Sequence, residues 1–248
     1  MNFDYNLNGE AESITYPNGH VVSYGFNNIG QVDSVSLDKG SGPVVLVDNI
    51  QYNQNGQMTH LERSNGVITD YIYNPQENFR LTDLDTTHGT TTLQDIHYTY
   101  DAVGNITQIT DSSSTDLAKT TWYDYDDLYR LASSTVNYIS HPADNYSKVY
   151  NYDAVGNMIY NSDLGTMNYD NDNPHQLSSL TGRTFTYDDA GNTKTNNISK
   201  FIWDHRSRLD STYDIASENN TYYDYDHNNQ RFIKYTEGLV WIPPDLGE

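Results

Sequence analysis

The sequence predicts an all-β chain in which consecutive antiparallel β-hairpins form a strongly twisted, curved sheet. Three observations predict it. A hairpin signature recurs along the 248 residues, large apolar or aromatic side chains stand two apart before each turn, and glycine often follows at a fixed offset.

The signature is clearest in Tyr98 to Ile106, Tyr-Thr-Tyr-Asp-Ala-Val-Gly-Asn-Ile. Tyr98 and Tyr100 alternate with Thr99, so both rings lie on one side of a strand, where aromatic and β-branched residues suit a pleated, half-buried surface. Asp101 begins the turn. Its short carboxylate can accept from backbone N–H groups further on, Ala102 and Val103 take the right-handed positions, and Gly104 supplies the left-handed one. Asn105 and Ile106 start the return strand.

With the aromatic residue just before the turn as anchor, the units start at Tyr5, Phe26, Tyr52, Tyr73, Tyr100, Tyr125, Tyr152, Tyr169, Tyr187, Trp203 and Tyr225, at spacings of 16 to 27 residues. Two residues before each anchor stands Phe3, Tyr24, Ile50, Tyr71, Tyr98, Tyr123, Tyr150, Met167, Phe185, Phe201 or Tyr223. Four residues after it comes Gly9, Gly30, Gly56, Gly104, Gly156 or Gly191, where a positive φ is needed. Five units lack this glycine. Those at Tyr73 and Tyr169 carry two extra turn residues, with Pro75 and Pro174 inside turns that resume at Leu81 and Leu177.

Tyr-Asp-Ala-Val-Gly-Asn at 100–105 and again at 152–157 resembles the YD repeat of the Rhs family. Asp101, Asp153 and Asp188 match the aspartate of that repeat, Arg130, Arg208 and Arg231 match its arginine after the turn, and Tyr16-Pro17-Asn18-Gly19-His20-Val21 resembles its linking hairpin. The resemblance covers residues 1–238. It implies a sheet of hairpins spiralling into a hollow shell, as in Rhs toxins, insecticidal toxin complexes and teneurins, with the shell enclosing a cargo polypeptide or serving as a surface module. It also implies a secreted or cell-surface setting within a larger bacterial protein.

Composition agrees with a patterned sheet. Hydrophobic residues are 35% and the mean hydropathy is -0.77, values that suggest disorder in an unpatterned chain. Here 23 tyrosines and 3 tryptophans carry much of the apolar area, and a tyrosine ring buries well. The net charge of -21 sets the chain against nucleic-acid phosphates and anionic lipid, so neither nucleic acid nor membrane is an expected partner. Cysteine is absent, which excludes disulfides and thiolate metal sites. No apolar run reaches the ~18 residues of a spanning helix, and the first residues already belong to a repeat, so no signal peptide is expected.

In chain order, Phe3 to Gly9 opens in mid-pattern, which suggests a fragment. Residues 14–37 read as strand, Pro-Asn-Gly turn, strand, second turn and a strand from Val32 to Leu37. Lys39 to Pro43 reads as a flexible connection before a short buried strand, Val44 to Val47. Asn65-Gly66 is a tight turn. Thr86 to Thr92 and Asp111 to Thr115 read as exposed hairpin loops, and Leu117-Ala118-Lys119 as the nearest approach to a helical turn. His141 to Asn145 is a loop, and after Tyr152 the tighter spacing predicts shorter hairpins. Residues 239–248 form a tail in which Pro243 and Pro244 stop any strand. Asp245 stands in Pro-Asp order, so the family's aspartyl self-cleavage is not carried over, and no toxin domain is expected within these residues.

Catalytic chemistry finds no support. The eight histidines are scattered with no metal-binding spacing, and His97 and His175 read as solvent-side residues. The pairs Asp124/Asp126, Asp170/Asp172 and Asp224/Asp226 follow the repeat and lack the glycine and distal glutamate of a calcium loop. Nucleophile elbows and phosphate loops are missing. Asn105, Asn145, Asn197 and Asn219 head Asn-x-Ser/Thr triplets that an Asn-rich chain contains by chance. No cofactor and no enzymatic activity are expected.

Function then resides in the repeat as a surface. A hairpin of about 22 residues cannot bury its aromatic face alone, so stability comes from stacking on neighbours. Twisted strands and glycine bulges at the turns concentrate the bending. One reading is a shell segment that encloses or displays another polypeptide. The other is a carbohydrate-binding or adhesion module using exposed tyrosine rows. Rings packed into the sheet's own contacts favour the first, solvent-facing rings the second. Open terminal hairpins suggest edge-to-edge pairing with the chain itself or with other shell segments.

Overall fold

Aromatic and polar residues alternate along strands in the computed structural model, which describes residues 1–237. Gly238 and the expected tail at 239–248 lie outside the described residues. The chain divides into two units, Met1–Ser147 and the part from Lys148 onward.

The first unit contains β1 (Asn2–Tyr5), β2 (Ala11–Thr15), β3 (Val21–Phe26), β4 (Val32–Asp38), β5 (Pro43–Tyr52), β6 (Met58–Arg63), β7 (Val67–Asn74), β8 (Arg80–His88), β9 (Thr91–Tyr100), β10 (Ile106–Asp111), β11 (Lys119–Tyr125) and β12 (Leu131–Tyr138). β13 (Tyr146–Tyr152) runs into the second unit, which continues with β14 (Met158–Asn161), β15 (Gly165–Tyr169), β16 (Leu177–Leu180), β17 (Arg183–Thr184), β18 (Thr186–Tyr187), β19 (Thr193–Thr195), β20 (Ser199–Trp203), β21 (Leu209–Asp214), β22 (Asn220–Tyr225) and β23 (Arg231–Thr236). The predicted shortening after Tyr152 is present: β17 and β18 have 2 residues each and β19 has 3.

Within each unit pairing is antiparallel and joins strands consecutive in sequence, from β1–β2 in the first to β22–β23 in the second, except that β17 pairs with β16 and β18 with β19 but not with each other. Among the described residues appreciable contact likewise runs between sequence neighbours, so the described part of each unit is a single layer. That topology explains the sparse core. Among the described residues the buried apolar side chains are Ile50, Ala118 and Val136.

Every anchor sits at a β-bulge. The register shifts between Gly25 and Phe26, between Ile72 and Tyr73, between Asp124 and Tyr125, and at the same step in the other units. A bulge leaves one residue unpaired and strengthens the local twist. The expected bulge at the turn glycine is present, with Gly104 left-handed at φ 108°, and a second irregularity lies one pair further along, at the anchor. The turn itself closes with Gly104 N–H donating to the Asp101 carbonyl at 3.2 Å and Asp101 N–H to the Asn105 carbonyl at 2.9 Å.

Several element boundaries differ from expectation. Val44 to Val47 is not a short buried strand, because β5 runs for ten residues and Val44 is 63% exposed. The link before it is pinned, with the Asp38 carboxylate accepting from Gly40 and Gly42 N–H. Thr86 to Thr92 is mostly strand, since β8 and β9 pair as far as His88 and Thr91, and the Thr69 and Thr86 hydroxyls bond across strands at 3.1 Å. Ala118 is buried beside the start of β11 and belongs to no helical turn.

Candidate functional site

The repeated feature able to carry function is the joint between successive hairpins, and three side-chain positions build it. The first is the residue after the anchor. It is Asn6, Asn27, Asn53, Asn74, Asp101, Asp126, Asp153, Asp170, Asp188, Asp204 or Asp226, always an amide or a carboxylate. Only these short side chains can fold back to accept from the turn's own backbone. Asp101 accepts from Val103, Gly104 and Asn105 N–H at 3.0, 2.7 and 2.8 Å. Desolvation pushes its pKa up, but the combined bonds from Asn105 and the turn N–H groups outweigh it, and the carboxyl lies below its ordinary value. Asp153 shows the same balance. In Asp188 the Asn192 side chain is the leading cause of the same lowering.

The second position lies five residues after the anchor, and its chemistry complements the first. In three of the four turns that open with asparagine, the partner offers an acceptor: Asn27 Nδ2 donates to Gln31 Oε1 at 3.0 Å, Asn53 Nδ2 to Gln57 Oε1 at 2.8 Å, and Asn6 Nδ2 to Glu10 Oε2 at 2.6 Å. In five of the turns that open with aspartate, the partner is a donor. Asn105, Asn157 and Asn192 donate to Asp101, Asp153 and Asp188 at 2.7, 2.8 and 3.0 Å. Arg130 and Arg208 donate from Nε to Asp126 and Asp204 at 2.7 Å. The Arg208 N–H and guanidinium lower the Asp204 pKa to about 2 against the desolvation that opposes them. Arg231 is not the counterpart of Arg130 and Arg208: Gln230 holds that position, and the Arg231 guanidinium lies 5.4 Å over the Tyr223 ring.

Three of these side chains, and Arg80 seven residues after Tyr73 in the longer turn, reach the next turn. Gln57 Nε2 donates to the Phe79 carbonyl at 2.9 Å, Arg80 Nη1 to the Asp101 carbonyl at 3.0 Å, Asn157 Nδ2 to the Pro174 carbonyl at 2.6 Å, and Arg208 Nη1 to Asn229 Oδ1 at 3.0 Å. Arg80 and Arg208 also cover the rings of the following anchors, Tyr100 and Tyr225, at 5.5 and 4.8 Å. These turns are thereby tied to their successors.

The third position is the anchor itself. Its polar tip donates to a carbonyl in the return strand of the preceding hairpin. Tyr52 Oη reaches Val32 O at 2.8 Å, Tyr100 reaches Leu81 at 2.6 Å, Tyr125 reaches Ile106 at 2.8 Å, Tyr169 reaches Met158 at 2.9 Å, Tyr187 reaches Leu177 at 2.7 Å, and Tyr225 reaches Leu209 at 3.0 Å. Trp203 Nε1 does the same to Thr193 O at 2.7 Å. The acceptor is the residue six after the previous anchor, or eight where the turn is two longer. Burial pushes the Tyr52, Tyr73, Tyr100, Tyr125, Tyr169 and Tyr187 hydroxyls above their ordinary value of 10.0.

The anchors from Phe26 to Tyr225, including Tyr73 and Tyr152, are half-buried, and Tyr5 is 62% exposed. Gly104, Gly156 and Gly191 have φ of 108°, 96° and 84°. In units without glycine, Tyr129, Ser207 and Asn229 take the same left-handed conformation, with φ of 61°, 56° and 62°. Sequence reasoning missed the latch and the paired code. The invariant Asn/Asp after the anchor was the available signal.

The opposite face carries a row of carboxylates, Asp70, Asp85 and Asp95, directly opposite one another across β7, β8 and β9. Desolvation, then Asp95, Asp83 and Asp70, raise the pKa of Asp85. His60 pairs with Asp70 at 2.6 Å and His97 with Asp83 at 2.7 Å, while His175 bonds Asn157 at 2.7 Å. Among the described residues no group of three or more His, Asp or Glu side chains is placed to hold a metal ion, and no helix is long and apolar enough to cross a membrane.

No family model and no curated protein matches the chain. Solved structures do match it. A crystal structure of TcdB2-TccC3-Cdc42 superposes with a TM-score of 0.75 at 24% identity, over 94% of this chain and 13% of that one. A Photorhabdus luminescens Tc holotoxin pore gives 0.76 at 24% over the same shares. TcdB2-TccC3 without its hypervariable C-terminal region gives 0.76 at 23%, again over 94% and 13%. The chain thus spans 13% of the length of these proteins. At such identities the likeness is one of fold, and the hairpin array implied by the Tyr-Asp signature is the fold that the chain shares with the Tc toxin complex.

Proposed function

We propose that the chain is a non-catalytic wall segment of an Rhs-type, YD-repeat protein, secreted or displayed at a cell surface, whose hairpins enclose or present another polypeptide. Residues 1–238 serve as its repeat region and 239–248 as a tail. The observation that carries this reading is the joint: anchors and turn side chains are spent on holding each hairpin to the next, which makes an extended surface and no convergent reactive site. The solved structures with this fold support it, since one of them is a Tc holotoxin pore and another is TcdB2-TccC3 with Cdc42.

Grafting tests it. The array is exchanged for the matching stretch of TcdB2-TccC3, and assembly and the protease sensitivity of the hypervariable C-terminal region are followed. Assembly with unchanged protection is expected. A chimera that folds by circular dichroism but exposes that region to protease refutes the wall role. Carbohydrate binding loses the support set for it, because the anchor rings from Phe26 onward are half-buried and seven of their polar tips, from Tyr52 to Tyr225, are committed to carbonyls. A glycan array with saturable binding that survives Tyr-to-Phe changes at the anchors would revive it.

A further inference from the structure

Between hairpins the ladder ends three residues before the next anchor: Asp83 stands opposite His97, Ser179 opposite Thr184 and Ser211 opposite Tyr222. Past these pairs the ladder gives way to the anchor bond, and the space between the two turns is left to a bridging side chain. Arg80 fills it. Its guanidinium lies 5.5 Å over the Tyr100 ring, donates to the Asp101 carbonyl at 3.0 Å, and stands so close to Gly104 that a Cβ there would meet Nη2 at 2.8 Å.

The joint between the Tyr169 and Tyr187 turns has the same frame without that side chain. The Tyr73 and Tyr169 turns share the two-residue extension, so Gln176 holds the place of Arg80, seven after its anchor. Tyr187 Oη bonds the Leu177 carbonyl at 2.7 Å as Tyr100 Oη bonds Leu81 at 2.6 Å, and Asp188, Gly191 and Asn192 repeat Asp101, Gly104 and Asn105. Glutamine is shorter and uncharged. Its side chain has no hydrogen-bond partner among the described residues, and a Cβ on Gly191 would meet nothing within 4 Å. A cavity of about 610 Å³ occupies the place, and its wall includes Asp170, Gln176, Tyr187, Asp188, Asp189 and Gly191. Charge differs as well, since Asp170 and Asp189 stand where the first joint has Asn74 and Ala102. Lys194, the cation that acts on Asp188, stands on β19 and does not line the cavity.

We infer that this cavity binds a guanidinium group from outside the chain, its plane over the Tyr187 ring, one N–H donated to the Asp188 carbonyl, and the Asp170 and Asp189 carboxylates balancing its charge. The chain itself supplies the pose twice over, with Arg80 on Tyr100 and Arg208 at 4.8 Å on Tyr225. A second donor also fits the acceptor. The Asp101 carbonyl takes Gly104 N–H at 3.2 Å together with Arg80, and the Asp188 carbonyl takes Gly191 N–H at 3.0 Å and keeps a lone pair for a guest. A planar fork of donors engages ring face and carbonyl at once, whereas an ammonium is a more strongly hydrated point charge. Because Asp189 is exposed and salt screens it, a single guanidinium binds weakly, with a Kd on the order of 1 mM. The guest is carried either by a free alkylguanidinium or by an arginine of another polypeptide, and the site does not depend on the wall reading.

The test is a nuclear magnetic resonance titration of the isotope-labelled full chain at about 0.15 M salt. The probes are agmatine, the blocked peptide acetyl-Gly-Arg-Gly-amide and its lysine counterpart. Both guanidinium probes should shift the Asp188 and Gly191 amides saturably, at several-fold lower concentration than the lysine peptide, while the Gly104 amide, whose slot Arg80 fills, stays still. Gln176→Arg should abolish the shifts without lowering the melting temperature. Asp189→Asn alters a side chain that takes part in no turn bond; it should weaken binding several-fold, and it keeps the test decisive if Gln176→Arg does not fold. Tighter binding of the arginine peptide than of agmatine assigns the site to an arginine of another polypeptide, and equal or weaker binding assigns it to free guanidinium compounds. Shifts at Gly191 that do not saturate, equal binding of the lysine peptide, or undiminished binding by folded Gln176→Arg or by Asp189→Asn overturns the inference. Any of these leaves the wall reading to be decided separately, by protease protection in the TcdB2-TccC3 graft.

Discussion

Replacing Tyr100 by phenylalanine removes one oxygen and nothing else from the joint between β8 and β9. The hydroxyl donates to the Leu81 carbonyl at 2.6 Å, the shortest of the anchor bonds. The ring remains, so its packing and the Arg80 guanidinium above it at 5.5 Å are retained. A net protein hydrogen bond contributes roughly 0.5–1.5 kcal/mol, and a carbonyl left dry without a donor costs about 1–3 kcal/mol. Tyr100 is only half-buried, so water can reach part of the vacated carbonyl, and the loss should be about 1 kcal/mol. Because repeats interact mainly with their neighbours, the loss should be local. Native-state hydrogen exchange is the suitable assay, since an array of this kind need not unfold in one step. Amides of β8 and β9 should exchange about five-fold faster while those of β3 and β4 stay unchanged. Phe26 supplies the reverse experiment: Phe26→Tyr offers a hydroxyl to the Ala11 carbonyl and should slow exchange in β2 and β3. Unchanged exchange in Tyr100→Phe, or equal acceleration throughout the first unit, would refute the latch as the holding element.

Three other predictions follow from the same geometry. Tyr129→Gly relieves a non-glycine residue at φ 61° and should raise stability by about 1 kcal/mol, read as a higher denaturant midpoint at constant slope; a lower midpoint would show the exposed ring to be needed. Asp85→Asn removes the middle charge of the Asp70–Asp85–Asp95 row and should stabilise the first unit by roughly 0.2–1 kcal/mol at neutral pH. Since the Asp85 pKa is raised in the fold, the wild type recovers stability as pH falls through the carboxyl range, and the advantage of the variant should vanish there. Alkaline titration should show the opposite sense for the latches: burial raises the Tyr52, Tyr100, Tyr125, Tyr169 and Tyr187 hydroxyls above 10.0. Their bonds therefore persist below the unfolded value and are lost as pH rises through the folded ones. Phenolate absorbance and circular dichroism should change together above pH 10.0, and phenolate formation with an intact sheet would contradict the role given to the hydroxyls.

The fold was legible because its two periods are local. Alternation of Tyr98 and Tyr100 announces a strand face, and Asp101 to Gly104 announces the turn, without any knowledge of what lies beside them. Even the two-residue extension at Tyr73 and Tyr169 could be read, and the register confirms it, since Tyr73 pairs with Leu81 and Tyr169 with Leu177. The joint was less legible because its partners come from different hairpins. Nothing local to Tyr125 says that its hydroxyl will meet the Ile106 carbonyl 19 residues earlier, for a backbone acceptor leaves no trace in side-chain identity. The Asn/Asp code differs in kind. Asn53 with Gln57 and Asp153 with Asn157 are four residues apart and chemically reciprocal, so that half was open to inspection. Turns without glycine hid the regularity, as Tyr129, Ser207 and Asn229 adopt the left-handed conformation without the residue that usually marks it.

A layer with almost no buried side chains must obtain its stability from somewhere other than a core, and the joints identify the source. Each anchor contributes ring area to the face and a bulge that adds twist, and seven of them add a polar-tip bond to the preceding hairpin. Gln57, Asn157 and Arg208, five beyond their anchors, each close their own loop and grip the next. These terms repeat per hairpin, so stability grows with the number of joints rather than with enclosed volume. Such a construction leaves both faces of the layer available, because none of its cohesion depends on covering them. The polar groups of the joints are distributed along the turn edge from hairpin to hairpin, and extending the array adds area and twist at a constant cost per unit.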